Sequence, residues 1–397
     1  MAQKLVVFDD FMGLAVFLLN SIGVVPYEKK GSSTSFKVWI YVSFVLNLAN
    51  LSFGIWNAIV FIARKLKQNE EFFESIMVMS YLGFAVGAQC QIVSLWWNKK
   101  KLTSLVNQLQ SMFPSRESDQ QLYRARVYSD RAGLITKTYS ALHVIVIQIY
   151  SLWDIAFYLL NWPNGTRSLP FAPDVPWVWQ DNWTFYLIYF MEAFQGYSAV
   201  LGHMSNNLLI FNIATQLIMH FDYMAESIEK YKPQAHLSKD GYAKDLKQLQ
   251  SWLIYHNKMF RLADQMNEVF GVPLLLTFFA SSGGMCFLGF EITIGISPEL
   301  MVKVAVFLAT IVINIFLLCV FSQQLIDAST KISEAVYNMD WPAADVRYQK
   351  MLVVMAQRAQ QPVSLRATIF VAVSMSTMTD FMQLSYKFLA LLRTMYN

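Results

Sequence analysis

The chain has 397 residues, 55% of them hydrophobic, 15% aromatic and 15% charged, with a formal net charge of +4. A soluble domain carries about 25% charged residues, so this surplus of apolar surface calls for lipid and argues against a soluble enzyme. Cys90, Cys286 and Cys319 all fall inside long apolar runs, where packing is expected rather than a disulfide framework or a solvated thiolate.

In chain order, the first apolar stretch runs from Phe11 to Val25 behind Lys4. Asp9 and Asp10 stand where a signal peptide would be basic, and no small-residue cleavage site follows, so an uncleaved helix dipping into the membrane interface is expected. Seven later stretches reach the roughly 20 apolar residues that a spanning helix needs. They run from Val38 to Ile62, Phe72 to Trp97, Gly133 to Leu160, Trp183 to Leu217, Val269 to Thr293, Val304 to Leu325 and Val363 to Leu392. The fourth exceeds what a bilayer needs and should tilt or project.

Basic residues are retained in cytoplasmic loops. The connections after spans two, four and six carry seven, seven and four Lys or Arg, and those after spans one, three and five carry three, one and one. The expected fold class is therefore an all-α integral membrane protein with seven transmembrane helices, a cytoplasmic N-terminus, an extracellular C-terminus and an intracellular helical anchor. Its expected segments are a cytoplasmic N-terminus with the dipping helix (1–37), spans one to six (38–326), an anchor segment (327–362) and the seventh helix (363–397). This orientation is the inverse of a G-protein-coupled receptor. Asn164-Gly165-Thr166 and Asn182-Trp183-Thr184 are candidate glycosylation sites in the third connection, on the outer side, whereas Asn50-Leu51-Ser52 falls inside a span. Between spans four and five, Leu249, Leu253 and Phe260 form an apolar helical stripe flanked by Lys247 and Gln250, as in a small intracellular bundle.

No metal-ligand spacing, phosphate-binding glycine loop or nucleophile elbow is visible. The histidines His143, His203, His220, His236 and His256 are scattered, so no catalytic residues, metal or cofactor are expected and the chain reads as no enzyme and no nucleic-acid binder. Asp154 and Glu192 could couple ion and substrate transport, or be satisfied near the outer ends of their helices.

In span seven, Ser376, Asp380, Gln383, Lys387, Ala390 and Thr394 follow steps of four, three, four, three and four, which puts them on one stripe of a helix. Lipid offers no hydrogen-bond partner, so the stripe faces protein or water. Burial against neighbouring helices and the wall of an aqueous pore both fit. Tyr81, Phe84, Tyr150, Trp153, Phe190, Phe194, Tyr197 and Phe307 lie toward the outer ends of their spans and could line an apolar ligand cavity, or pack and anchor at the interface.

Ser385-Tyr386-Lys387-Phe388-Leu389-Ala390-Leu391-Leu392-Arg393 resembles the last-helix signature of insect odorant receptors. Trp341-Pro342-Ala343-Ala344-Asp345-Val346-Arg347-Tyr348 and Gln360-Gln361-Pro362 resemble that family's intracellular segment, and Pro176 to Trp183 resembles an outside loop of one subgroup. The resemblance implies a plasma-membrane subunit, in sensory dendrites, of a tetrameric, odorant-gated, non-selective cation channel assembled with a shared co-receptor. It implies a small volatile organic ligand in the outer half of spans two to six and a pore lined by the last helix, with Ala390 and Thr394 near the outer gate and Arg393 beside them. The co-receptor has a longer loop between spans four and five, so this chain resembles the odour-tuning subunit. Ala390 is smaller than the branched residue expected at a tight gate. A metabotropic seven-helix receptor and a secondary transporter are the alternatives.

Overall fold

A computed structural model describes residues 5–28, 34–68, 72–160, 167–171, 183–234, 239–368 and 371–396. The two candidate glycosylation sites, His236 and most of the Pro176–Trp183 stretch lie outside them.

Among the described residues the elements are α1 (Phe8–Ser21), α2 (Thr34–Gln68), α3 (Phe72–Trp97), α4 (Lys99–Met112), α5 (Glu117–Leu122), α6 (Ala125–Leu160), α7 (Thr184–Glu229), α8 (Lys239–Ile294), α9 (Pro298–Asn338), α10 (Val346–Ala359), β1 (Arg366–Ala367), β2 (Val371–Ala372) and α11 (Met375–Tyr396). Helices α2, α3, α6, α7, α8 and α9 are long and apolar enough to cross a membrane. Helix α11 is the seventh. Its 22 residues rise about 33 Å, close to the roughly 30 Å hydrocarbon core, and its polar stripe lowers its mean hydropathy.

Local signals set the helix starts. The Ser297 hydroxyl accepts from Leu300 N at 3.3 Å and Pro298 follows, which starts α9. The Asp345 carboxylate accepts from Arg347 N at 2.8 Å and starts α10. Asp10 accepts from Val7 N at 2.8 Å at the head of α1.

Helix α7 is the axis of the fold. It packs against α1, α2, α3, α6, α8 and α9, and residues from Gly202 to Phe221 are buried without interruption. At 46 residues it is about 69 Å long, more than twice the hydrocarbon thickness, so it projects from the membrane. The projecting end of α7, the first half of α8 and the last turns of α9 meet α4 and α10 there, on the side where the basic residues cluster. In this anchor Leu249, Trp252, Met259 and Phe260 are buried and Lys247 and Gln250 are exposed. Asp245 accepts from the Tyr231 hydroxyl at 2.7 Å and from Gln234 N at 2.9 Å. Burial and, next, the bond to Asp245 push the Tyr231 phenol well above its usual range. Helix α1 buries Phe8, Phe11, Met12, Ala15 and Leu19 against this bundle, more deeply than a helix resting on the interface would.

The last span differs from expectation. The described residues between Val363 and Ser374 include two short antiparallel strands in which Arg366 pairs with Ala372 and Ala367 with Val371, and the spanning helix begins at Met375. Leu365 and Ala367 point inward and Arg366 outward, a period of two that a strand allows and a helix does not. Side chains of α8 and α9 satisfy the hairpin backbone. Ser322 Oγ donates to Val373 O at 2.6 Å and accepts from Leu365 N at 3.0 Å. Asn267 accepts from Arg366 N and donates to Ser364 O, both at 2.9 Å. Helix α9, at 41 residues, continues beyond the membrane toward the anchor, whereas α11, at 22 residues, does not.

Candidate functional site

Four aromatic side chains from three helices, with Phe171 from the connection after α6, form a cage toward the outer end of the bundle. The Tyr81 ring on α3 meets Tyr150 on α6 at 5.7 Å and Phe171 at 5.8 Å, both edge-on. Tyr150 stacks on Phe171 at 6.2 Å, and Phe307 on α9 closes on Tyr150 at 5.9 Å and Phe84 at 5.6 Å. These distances suit attractive ring contacts. They enclose a cavity of about 100 Å³ whose other walls include Leu51 and Ile55 on α2 and Gln195, Gly196 and Ala199 on α7.

Glycine is needed at 196. A Cβ there would stand 2.6 Å from two Phe171 ring carbons and 2.9 Å from Ile147 Cδ1. Phe171 is itself held by its backbone, whose N–H donates to Glu192 Oε2 at 3.2 Å.

Of the eight aromatic residues singled out as ligand candidates, Tyr81, Phe84, Tyr150 and Phe307 meet at this cavity. Trp153, Phe190 and Phe194 are 42%, 68% and 39% exposed on the outside of the bundle, and Tyr197 is half-buried beside it. No local pattern marks Phe171, Gln195 or Gly196: one lies in a loop, and the others are unremarkable on a helix until it is packed.

Asp154 and Glu192 are both engaged. Lys303 Nζ binds both Asp154 oxygens, at 3.0 and 2.9 Å, and Glu192 holds Phe171 N. Asn50, in the third glycosylation triplet, donates to Met191 O at 3.2 Å and its carbonyl accepts from Gln195 at 2.9 Å.

Inward of the cage, His203 enters a buried polar cluster. Gln91 Nε2 donates to Thr277 Oγ1 at 2.6 Å, so its oxygen faces His203 Nδ1 at 3.1 Å and accepts from it. His203 Nε2 must then accept, and the Asn207 and Asn314 amides lie 3.3 and 3.2 Å away. Asn314 Oδ1 accepts from the Tyr139 hydroxyl at 2.7 Å and from Asn207 at 2.8 Å. The cluster ties α3, α6, α7, α8 and α9 together through groups that would each be costly to bury alone. His220, by contrast, sits in the anchor with Nδ1 2.6 Å from the Tyr255 hydroxyl.

The polar stripe of α11 points away from its own chain. Ser376, Asp380, Gln383, Lys387, Ala390 and Thr394 are all exposed, whereas Phe381 and Ser385 are buried. The inward face of α11 leans on α8: Phe381 meets Phe278 at 6.3 Å, Leu389 covers Gly289, and Cys286 Sγ approaches Ser385 O at 3.4 Å. Of the two readings of the stripe, burial against helices of the same chain does not occur among the described residues. Cys286 and Cys319 are buried thiols and Cys90 is half-buried, with no disulfide among them.

A profile of the family described as 7tm Odorant receptor matches residues 71–386. Odorant receptor 67a of Drosophila melanogaster is 38% identical over 99% of this chain and 98% of its own length. Odorant receptor 85c of the same organism is 35% identical over 97% and 99%. The fold is that of the insect olfactory receptor OR5 from Machilis hrabei in complex with eugenol, with a TM-score of 0.84 at 15% identity over 98% of both chains. The structure of that receptor described without eugenol gives a TM-score of 0.81 at 16% identity. Full-length identity above a third, a family match across most of the chain and a shared seven-helix membrane fold lead to one conclusion: the chain belongs to the odorant receptor family.

Proposed function

We propose that this chain is the odorant-tuning subunit of a ligand-gated, non-selective cation channel that it forms with a co-receptor in the plasma membrane of sensory neurons. The cage cavity takes a small volatile organic molecule, and α11 contributes one wall of a shared pore. One observation carries the reading: α8 touches the inward side of the cage region through Thr277 and Ser281 and bears on α11 through Phe278 and Gly289. A ligand that shifts α8 therefore shifts the helix whose polar stripe is exposed on the surface of its own chain.

A mostly apolar cavity with few polar groups is the usual make-up of a small-molecule site. The stripe offers hydroxyl, amide and carboxylate groups to water, as a cation path requires, and Lys387 can swing aside on its long stem. The resemblance to the eugenol-bound receptor supports the fold, and the location of this cavity among α2, α3, α6, α7 and α9 supports its use for a ligand. A transporter driven by Asp154 is disfavoured because Lys303 already neutralises that carboxylate.

Co-expression with an odorant co-receptor in a cell line and recording of whole-cell currents under an odorant panel tests the reading. Odour-evoked currents that reverse near zero and disappear with Ala199→Trp, which fills the cavity, are expected. Currents that survive Ala199→Trp with unchanged potency for every odorant would remove the cavity from the account.

A further inference from the structure

A second, smaller cavity of about 30 Å³ lies directly inward of the cage and shares Phe84, Val146, Val200 and Phe307 with it. About 10–15 Å³ is enough for one water-sized group, so this space holds one or two such groups and no whole odorant. Its walls are still mostly apolar, but they hold more polar side chains than those of the cage: Ser80, Gln91, His143, His203, Thr277, Ser281, Thr310 and Asn314 line it.

Most of that polarity is already used. Ser80 donates to Met77 O, Thr310 to Val306 O and Thr277 to Pro273 O, at 2.7, 2.8 and 2.9 Å. Gln91, His203 and Asn314 are held by one another and by Thr277, Tyr139 and Asn207. Two lining groups have no side-chain partner among the described residues: the Ser281 hydroxyl and Nε2 of His143. The character of His143 follows from its other nitrogen, which lies 2.9 Å from Tyr139 O. A carbonyl only accepts, so Nδ1 carries the proton, and Nε2 of the neutral ring is left as a lone pair. The small cavity thus presents one unmet acceptor and one unmet hydroxyl.

We infer that this cavity is a hydroxyl subsite of the odorant site: a ligand lies in the cage and reaches its terminal O–H past the wall that Phe84, Val146, Val200 and Phe307 share, donating to His143 Nε2 and accepting from Ser281. The ligand class is alcohols. An ether or ketone of the same shape can accept from Ser281 but leaves His143 Nε2 unmet, and a buried group without its hydrogen bond costs more than the bond itself contributes. The subsite also accounts for coupling, since Ser281 stands on α8 one turn from Phe278, which touches the pore helix. The inference rests on the cage being the odorant site.

The test uses the full channel complex and pairs each primary alcohol from butanol to octanol with its isomeric methyl ether, reading the concentration for half-maximal current. The wild type is expected to favour alcohols by about tenfold, the scale of one buried hydrogen bond. His143→Leu should remove that preference, weakening alcohols and relieving the penalty on ethers, and His143→Gln, which keeps a polar acceptor, should restore part of it. Ser281→Ala should weaken alcohols and ethers together. No alcohol preference in the wild type, or an equal loss for alcohol and ether in His143→Leu, overturns the subsite. The Ala199→Trp control keeps the two readings apart: if it abolishes responses while His143→Leu changes no ratio, the cage stands and the subsite falls.

Discussion

Lys303 on α9 places its ammonium 3.0 and 2.9 Å from the two carboxylate oxygens of Asp154 on α6, with side chains only 10% and 20% exposed. The pair joins two helices beside the cage, and the same ammonium lies 6.0 Å from the Tyr150 ring centroid. Removing one partner of a buried pair leaves the other charge uncompensated, at a cost of about 3 kcal/mol. Asp154→Asn and Lys303→Gln should each lower the melting temperature of the purified complex, and the swapped pair Asp154→Lys with Lys303→Asp should recover part of the loss. A swap no better than either single change would mean that the attraction is not what holds α6 to α9.

Gly196 leaves room for Phe171, and even a methyl group closes it. In Gly196→Ala the Phe171 ring has to move, and the space into which it can move is the cavity. Odorant potency should fall about tenfold, corresponding to about 1.4 kcal/mol, with surface expression close to wild type. Dose–response curves with Gly196→Ala that overlay the wild type would show that Phe171 does not bound the ligand.

The two faces of α11 should respond differently to substitution. If the stripe is a pore wall, as proposed, Gln383→Glu should shift the reversal potential under calcium gradients without loss of assembly, because it adds charge to that wall. Phe381→Ala, on the face against α8, should reduce assembly by removing a buried ring, at about 3–5 kcal/mol. Unchanged selectivity together with poor assembly in Gln383→Glu would make the stripe a subunit interface instead of a pore wall.

Ser322 holds both arms of the hairpin before α11. Ser322→Ala leaves Leu365 N and Val373 O unpaired in a buried place, at about 1–3 kcal/mol each. The expected phenotype is altered gating with intact odorant ranking, since the hairpin leads into α11, the proposed pore wall, and lies away from the cage. A changed odorant ranking would mean that the hairpin also shapes the cavity.

In the anchor, Asp245 satisfies Gln234 N and the Tyr231 hydroxyl. Asp245→Ala should destabilise the complex by about 1–3 kcal/mol, seen as earlier dissociation on heating, with half-maximal odorant concentrations unchanged in the channels that remain. A shift in odorant potency would tie the anchor directly to ligand binding.

Much of this architecture is legible in the residues alone. A bilayer imposes a length and a polarity on every segment that crosses it, so spans such as Phe72–Trp97 announce themselves, and the alternation of basic loops orients them. The stripe through Asp380, Gln383 and Lys387 is visible because helical spacing is local. Tertiary structure decided what depends on distance across the fold. It turned the apolar run at Val363 into a hairpin, because Asn267 and Ser322 on other helices satisfy that backbone. It separated Tyr81 and Phe307, which meet, from Phe190 and Trp153, which face outward, although all four look alike in sequence. It also gathered His143, Gln91 and Ser281 around one small space, a relation between side chains on three helices that no spacing rule encodes, because burial and hydrogen-bond partnership arise only when the helices pack.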